Sequence, residues 1–459
     1  MKQRNRIAFF NILSTVVLKG SAFFTGMLFA RLLGGSGYGS LKLYNISVSI
    51  VTILFSLQTQ TTLANARVEY PKEAQKGYQS SAMTLSVLFF GLCTGMVLLF
   101  LKPVSSLLNL TPALVFLLLF QAFGNFCVEF LNKKNVYEFR AGWNMILSLV
   151  MTLVPLALAV VLILQMPYET RYVGRVIANS LSYGVVGTAV CIGILLWGKT
   201  YVHREYWKFC LVLALPAVFH NLSDLILNQM DSLMLNALMN TAAVGYYGNA
   251  WGFANFLFIL FQALNNIWCA YFFEDMKNGE RGSLLEKTRN FLEVFTILAC
   301  GFMLLAPEVY HVYAPKEFWV ATMVIPLFTA EYYVNFLCTF PVNFEYYHKK
   351  PKAVAVITVS SSLMNLVLNY VFIKAIGMAG AAVATLLSHC LQLLLHHFYS
   401  RQLGDYPFPL KLWAGYPLVF CAILAVVFLL PDAWYIRWPL GAVLGVYMLL
   451  RVKRRKVLI

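Results

Sequence analysis

The chain has 459 residues, of which 60% are hydrophobic and 12% are charged, whereas a soluble domain carries about 25% charged residues. This composition excludes a single water-exposed globular domain and favours lipid as the solvent, because apolar side chains then face outward. The formal net charge of +16 comes from Lys and Arg between apolar runs and accompanies no nucleic-acid-binding motif, so it indicates membrane topology rather than a nucleic-acid partner.

Apolar runs that are long enough to cross a bilayer recur along the whole chain. A transmembrane helix needs about 20 mostly apolar residues. The first run is longer than the apolar core of a signal peptide, so it predicts an uncleaved helix. We number the predicted spans 1 to 14 in chain order: 7–33, 41–63, 79–101, 112–131, 143–165, 172–197, 208–235, 244–271, 291–312, 320–345, 353–373, 379–399, 411–430 and 434–450. The sequence therefore predicts an all-α integral membrane protein with about 14 transmembrane helices.

The distribution of basic residues predicts the orientation of these spans. With the N-terminus in the cytoplasm, 26 Lys and Arg residues fall on cytoplasmic segments and 7 on outer ones, with Lys19 and Arg31 set aside in span 1. Cytoplasmic loops are enriched in Lys and Arg, so both termini are predicted to be cytoplasmic. Two predicted cytoplasmic loops, one with Lys133, Lys134 and Arg140 and the other with His348, Lys349, Lys350 and Lys352, also have the charge to collect an anionic lipid-linked substrate. Topology alone explains these basic residues equally well.

Two local similarities predict an internal repeat. Tyr38-Gly39 after span 1 and Tyr247-Gly248 after span 7 lie 209 residues apart. The segment 174–182 resembles 380–388, at a spacing of 206 residues. A six-helix unit used twice is typical of secondary transporters. We therefore predict an N-terminal lobe over 1–200, a C-terminal lobe over 201–400, and a last helix pair with a basic tail over 401–459.

Polar side chains form stripes on several otherwise apolar spans. Such stripes mark faces that are buried in protein or line a water-filled cavity. Spans 3, 4, 13 and 14 carry far fewer polar residues than the first two spans of each predicted lobe. We therefore predict a hydrated cleft between the lobes, lined chiefly by spans 1, 2, 7 and 8. The uncharged cavity candidates are Asn11 on span 1, Asn45 and Gln60 on span 2, Asn228 on span 7, and Asn255 and Gln262 on span 8.

Charged residues inside the spans require a compensating interaction, because a charge at the bilayer centre costs about 2.5–3.5 kcal/mol. Lys19 and Arg31 have the chemistry to attract an anionic headgroup. Asp224, Asp231 and Glu331 are candidates for binding a coupling cation. Mutual ion pairing that only holds the lobes together is the alternative for the buried charges, and interfacial anchoring is the alternative for Arg31.

Three segments resemble a known family of membrane transporters. The stretch from Asn11 to Asn45, with Ala30-Arg31-Leu-Leu-Gly34 and Tyr38-Gly39, is similar to the opening of bacterial polysaccharide and O-antigen (Wzx-type) flippases. The stretches 365–369 and 377–385 resemble the signature between their helices 11 and 12, and Asp231 followed by 245–247 resembles the start of their second half. These flippases belong to the multidrug/oligosaccharidyl-lipid/polysaccharide (MOP) exporter superfamily.

The resemblance implies a two-lobed, V-shaped transporter in the bacterial cytoplasmic membrane. Such proteins move undecaprenyl-pyrophosphate-linked oligosaccharides to the outer leaflet by alternating access, for surface polysaccharide biosynthesis. The implied partners are the lipid-linked oligosaccharide, membrane lipids and other polysaccharide-assembly proteins. A cationic central cavity would meet the pyrophosphate, which fits Lys19 and Arg31 but not Asp224 and Asp231. Fourteen spans instead of twelve, and no Arg-rich lipid II flippase pattern after span 1, favour the polysaccharide branch.

Three other functions remain as alternatives. A cation-coupled multidrug exporter of the same fold would use Asp224 and Asp231, but Lys19 and the basic loops count against it. A polysaccharide polymerase or ligase needs a large outer loop with catalytic residues, whereas the predicted outer loops are short. A purely structural membrane protein has no need of polar stripes. The nine cysteines form no CxxC pair and no nucleotide or metal motif occurs, so we predict no cofactor and no enzymatic activity.

Overall fold

The computed structural model describes the backbone of residues 2–138 and 140–453, and the side chains of 23–138, 140, 142–409, 412, 415–451 and 453. Within these ranges all regular secondary structure is helical, which confirms the predicted all-α class. Eleven helices of the described chain are long and apolar enough to cross a membrane, and Gly415–Leu429 is a shorter apolar helix. The side chains of Asn11 and Lys19 lie outside the described residues.

The helices follow the predicted spans closely. Spans 1 and 2 form one helix, α1, which is broken only at Gly34 (φ 66°, ψ 177°). Spans 3 to 14 correspond to α3 and then to α5 through α15. The α-helices are α1 (Lys2–Phe55), α2 (Leu63–Glu69), α3 (Lys72–Leu99), α4 (Leu101–Leu108), α5 (Pro112–Tyr137), α6 (Ala141–Gln165), α7 (Arg171–Gly198), α8 (Arg204–Leu238), α9 (Thr241–Asn278), α10 (Arg281–Tyr313), α11 (Ile325–Tyr347), α12 (Pro351–Ile376), α13 (Met378–Gln402), α14 (Leu410–Leu429) and α15 (Trp434–Lys453).

Span 2 ends earlier than the sequence predicts. The prediction was a helix to residue 63, but α1 ends at Phe55, and Leu57 and Gln58 adopt left-handed backbone conformations (φ 54° and 53°). The Gln58 N–H donates to Ser56 Oγ at 3.1 Å instead of continuing the helix. Short polar side chains of this kind compete with helical hydrogen bonds, which explains the turn. A 3-10 helix (Thr59–Thr62) and α2 follow it.

The described chain divides into two compact units, which we call unit 1 (Met1–Met230) and unit 2 (Asp231–Ile459). The boundary falls inside α8, so this helix contributes residues to both. In unit 1, α5 packs on α7 through glycine, because a Cβ on Gly187 would lie 2.4 Å from Gly124 Cα. The predicted division at residues 200 and 400 remains a prediction.

In unit 2, two ion pairs attach α15 to α10, and we call them the α10–α15 clamp. The Glu293 carboxylate, which is 1% exposed, accepts hydrogen bonds from Arg451 Nε and Nη2 at 2.8 and 2.6 Å. It also accepts from the hydroxyls of Tyr416 on α14 and Tyr447 on α15, at 3.0 and 2.7 Å. At the other end of the antiparallel helix pair, buried Arg437 contacts Glu308.

Candidate substrate cavity

Unit 1 contains a cavity of about 690 Å³ whose lining is mostly polar. The lining side chains come from α1, the turn after it, α5, α6, α7 and α8. They are Ser49, Thr52, Ile53, Gln58, Asn125, Val128, Glu129, Asn132, Leu147, Ser148, Met151, Thr152, Tyr183, Asn221, Asp224, Leu225, Asn228 and Gln229. Polar groups at membrane depth are tolerated where they line a water-filled cavity, so this lining marks a hydrated site.

Helix α5 supplies one wall of the cavity through Asn125, Glu129 and Asn132. These residues are spaced by four and three positions, which places them on one face of a helix. Span 4 was predicted to have no polar face of this kind, and that prediction was wrong. The spacing of these residues does indicate a polar helix face, but the pattern consists of only three polar residues in or at the end of a strongly apolar run.

The left-handed turn after α1 positions Gln58 at the cavity. Gln58 Oε1 accepts from Asn221 Nδ2 of α8 at 2.7 Å and from Gln60 Nε2 at 3.2 Å. Gln60 is fully buried behind this bond and does not line the cavity. Positive φ angles are uncommon for non-glycine residues and cost free energy, so they persist only where other interactions compensate. At this turn the hydrogen bonds of Gln58 provide that compensation.

Helix α8 contributes Asn221, Asp224 and Asn228, so the two predicted candidates Asp224 and Asn228 do reach the cavity. Asn228 Nδ2 donates to the backbone oxygen of Asp224 at 2.8 Å, and no hydrogen bond to the Asp224 carboxylate occurs within the described chain. Within the described part of the chain, no Lys, Arg or His lines the cavity or lies within 4.0 Å of the carboxylates of Glu129 and Asp224. The described lining is therefore acidic and rich in amides and hydroxyls.

Asp231 belongs to a separate polar cluster in unit 2. Its carboxylate accepts from Tyr247 Oη at 2.6 Å, Asn369 Nδ2 at 2.7 Å and Thr385 Oγ1 at 3.0 Å. Asn365 Oδ1 accepts from Asn369 at 2.9 Å, and Asn365 Nδ2 donates to Thr385 at 3.1 Å. The Asn369 Oδ1 atom is buried without a hydrogen-bond partner in the described chain. The Asp231 carboxylate of α8 is thus surrounded by hydrogen-bond donors from α9, α12 and α13.

None of the other predicted site residues with described side chains is among the residues that line the unit 1 cavity. Glu331 on α11 is nearly buried, and His389 Nε2 of α13 lies 3.6 Å from its carboxylate. The mutual ion pairing of Asp224, Asp231 and Glu331 with Lys19 is not tested, because the Lys19 side chain lies outside the described residues. Arg31 is exposed on α1, and the half-buried candidates are Asn45, Asn255 and Gln262.

Comparisons with known proteins bear on the fold and the family. A family model described as polysaccharide biosynthesis protein matches residues 6–267, which is more than half of the chain. The probable low-salt glycan biosynthesis flippase Agl15 of Haloferax volcanii is 23% identical over 199 residues, 42% of this chain and 41% of the relative. The chain thus spans about two fifths of the length of that curated relative.

Two groups of solved structures have a similar fold. Lipid II flippase MurJ, in an inward closed conformation, matches with a TM-score of 0.74 at 16% identity, over 98% of this chain and 99% of that one. An inward-facing multidrug resistance transporter of the MATE family matches with a TM-score of 0.59 at 15% identity, over 84% and 93%. Both belong to the fold that the sequence resemblance implied, which confirms that resemblance. The chain is therefore a multi-pass membrane protein of the polysaccharide biosynthesis protein family, with the fold of the MOP superfamily transporters.

Proposed function

We propose that the chain is a flippase for undecaprenyl-pyrophosphate-linked oligosaccharides, acting by alternating access in surface polysaccharide biosynthesis. The observation that carries this proposal is the polar cavity of unit 1. Its volume lies in the range of about 300–1,000 Å³ that is typical of ligand sites. A transporter of apolar lipid alone has no use for so many amides and hydroxyls inside a helical unit that faces lipid.

The lining matches the hydrogen-bonding chemistry of sugars. Sugar hydroxyls donate and accept, and the amides of Asn125, Asn132 and Asn228 do the same. The carboxylates of Glu129 and Asp224 accept only, and hydrogen bonds to charged acceptors are the stronger ones. We therefore assign the glycan, rather than the pyrophosphate, to this cavity.

The remaining site residues have separate roles in this proposal. Lys19 and Arg31 are the candidates for the pyrophosphate, since both carry the required positive charge. Asp231 is the candidate for coupling, because a proton or a small cation bound there would compete with the hydrogen bonds from Tyr247, Asn369 and Thr385. The same proposal places the chain in a bacterial cytoplasmic membrane with both termini inside. It also includes cooperation with other polysaccharide-assembly proteins.

A second candidate function is the cation-coupled multidrug exporter. The observation that favours it is the pair of carboxylates, Glu129 and Asp224, in a cavity whose described lining has no basic side chain. An organic cation would be attracted to this charge. The two functions differ in cargo, so transport of a cationic dye separates them from each other.

Leaflet transfer in liposomes tests the proposed function. Purified protein is reconstituted with an undecaprenyl-pyrophosphate oligosaccharide, and an impermeant probe reports the glycan exposed at each face. We expect transfer above empty liposomes, and loss of transfer in Lys19→Ala without loss of membrane insertion. Wild-type transfer by Lys19→Ala would remove Lys19 from the mechanism. Absence of transfer with several glycans, together with proton- or sodium-driven dye movement, would favour the exporter.

A further inference from the structure

A second cleft, separate from the substrate cavity, lies in unit 1 beside the C-terminal ends of α5 and α7. Its volume is about 460 Å³. An apolar wall is formed by Leu131, Val190, Gly193 and Ile194. The rim is formed by Lys134, Arg140 and Trp197. We call it the Trp197 cleft, and it combines an apolar surface with positive charge.

Two ammonium groups share the indole of Trp197. Lys134 Nζ lies 4.0 Å from the ring centroid, and Lys76 Nζ of α3 lies 4.4 Å from the same centroid. Cation–π attraction of this kind stabilises each lysine, but it removes none of the positive charge. Two like charges on one ring repel each other, so the arrangement favours an anion between or beside them.

The cleft contains too few carboxylates to neutralise its cations. Glu138 is 4.0 Å from Lys134 Nζ and 3.1 Å from Arg140 Nε. Lys134 and Arg140 thus share Glu138, while Lys76 on the Trp197 ring has no carboxylate within 4.0 Å in the described chain. These three cations and one carboxylate have a net charge of about +2 at neutral pH. Lys134 is only 8% exposed, and a buried charge is stable when it is paired. A ligand with one or two negative charges would complete this cluster.

We propose that the Trp197 cleft binds the phosphate headgroup of an anionic phospholipid, with an acyl chain along the apolar wall. Trp197 and Lys134 lie at the ends of membrane-spanning helices, where Trp and Lys are typical of the membrane interface. Basic residues at such positions attract anionic lipid headgroups. Free phosphate would leave the apolar wall exposed, so the cleft fits a phosphate that is attached to a chain. This lipid site is independent of the cargo in the substrate cavity.

Fluorescence quenching of Trp197 tests the proposal. The purified full-length protein in detergent is titrated with bromine-labelled phosphatidylglycerol or phosphatidylcholine. Because the chain has nine tryptophans, the Trp197 signal is taken as the difference between the wild type and Trp197→Phe. We expect phosphatidylglycerol to bind roughly thirtyfold more tightly than phosphatidylcholine, because each of the two lysines on the Trp197 ring contributes a preference of roughly fivefold for the anionic headgroup.

Charge variants separate the cleft from general surface attraction. The double variant Lys76→Gln/Lys134→Gln should bind phosphatidylglycerol roughly thirtyfold more weakly, and the exposed Lys76→Gln alone roughly fivefold more weakly. The matched control Lys72→Gln/Lys133→Gln removes two charges from the same helices, α3 and α5, but not from the cleft, and should bind like the wild type. Equal binding of both lipids by the wild type, or equal weakening in both double variants, would overturn the proposal.

Two further ligands identify the source of the phosphate. Inorganic phosphate that displaces the lipid at equal concentration would make the cleft a free-phosphate site. Farnesyl pyrophosphate that binds more tightly than phosphatidylglycerol would assign the cleft to a prenyl pyrophosphate. Either result would overturn the assignment to a phospholipid, whereas weaker binding of both supports it.

Discussion

The cavity of unit 1 and the helix contacts of unit 2 use acidic residues in opposite ways. In unit 1, the carboxylates of Glu129 and Asp224 line an open cavity and contact no basic side chain of the described chain. In unit 2, Glu293 accepts from one arginine and two tyrosines, and Glu345 accepts from Ser400 and lies 2.9 Å from His396 Nδ1.

This difference separates binding from architecture. An intramembrane charge without a partner is expensive, and it persists where a ligand or water uses it. A charge that is fully hydrogen-bonded fixes the arrangement of the helices around it, and removing one partner leaves the other uncompensated. We therefore propose ligand binding in the unit 1 cavity and helix docking by the ion pairs of unit 2. Asp231, which is hydrogen-bonded and also the proposed coupling residue, would have both roles.

The largest stability effect is expected at the α10–α15 clamp. Glu293→Ala removes the acceptor of Arg451, Tyr416 and Tyr447, which we expect to lower the free energy of unfolding by roughly 2–4 kcal/mol. Thermal unfolding in detergent measures this loss. As a control, Arg281→Ala breaks the exposed pair with Asp405, in which the side chains are 60% and 84% exposed respectively, and should change stability little. Equal stability of both variants would contradict the clamp.

A smaller stability effect, with a distinct transport effect, is expected at Asp231. Asp231→Asn keeps the shape of the side chain but weakens acceptance from Tyr247, Asn369 and Thr385, at a cost of about 1–3 kcal/mol. If Asp231 couples transport to an ion, the variant should lose the dependence of transfer on a proton or sodium gradient. Transfer is measured with and without each gradient, and Glu345→Gln in the other hydrogen-bonded cluster is the comparison. A gradient dependence unchanged by Asp231→Asn would exclude Asp231 as the coupling residue.

The smallest stability effect is expected in the cavity. Glu129→Gln and Asp224→Asn should each change the free energy of unfolding by less than about 0.5 kcal/mol, because neither carboxylate holds a partner in the described chain. Both should nevertheless slow glycan transfer, since they replace charged acceptors by neutral ones. Unfolding and transfer are measured on the same preparations. A large loss of stability with normal transfer would reverse the assigned roles.

Fourteen spans were predicted, whereas spans 1 and 2 form one helix and eleven helices of the described chain are long and apolar enough to cross a membrane. The order of the long helices could be predicted from the sequence, because the length of an apolar run is a local property of the chain. The early end of α1 could not, since it depends on Ser56 and Gln58 forming hydrogen bonds that replace helical ones. A polar stretch at the end of a long apolar run is equally compatible with a turn and with the polar face of a helix that continues. Only the surrounding structure, including Asn221 of α8, decides for the turn.

The candidate site was predicted in part. Asp224 and Asp231 are seven residues apart and so share one helix face, yet Asp224 lines the unit 1 cavity and Asp231 meets α9, α12 and α13. Periodicity identifies a polar face but not the helix that lies opposite it. For the same reason Asn125 and Glu129 were missed, because nothing in the sequence shows which helices enclose the cavity.

A pair of tryptophan substitutions on α6 tests most directly whether the unit 1 cavity holds the glycan. Ser148 lines the cavity, whereas Val154 is 50% exposed on the same helix and does not line it. Both variants are compared in the leaflet-transfer assay after matched thermal unfolding shows that they are folded. We predict that Ser148→Trp fills the cavity and abolishes transfer, while Val154→Trp transfers at the wild-type rate. Wild-type transfer by Ser148→Trp would contradict the assignment of the glycan to this cavity.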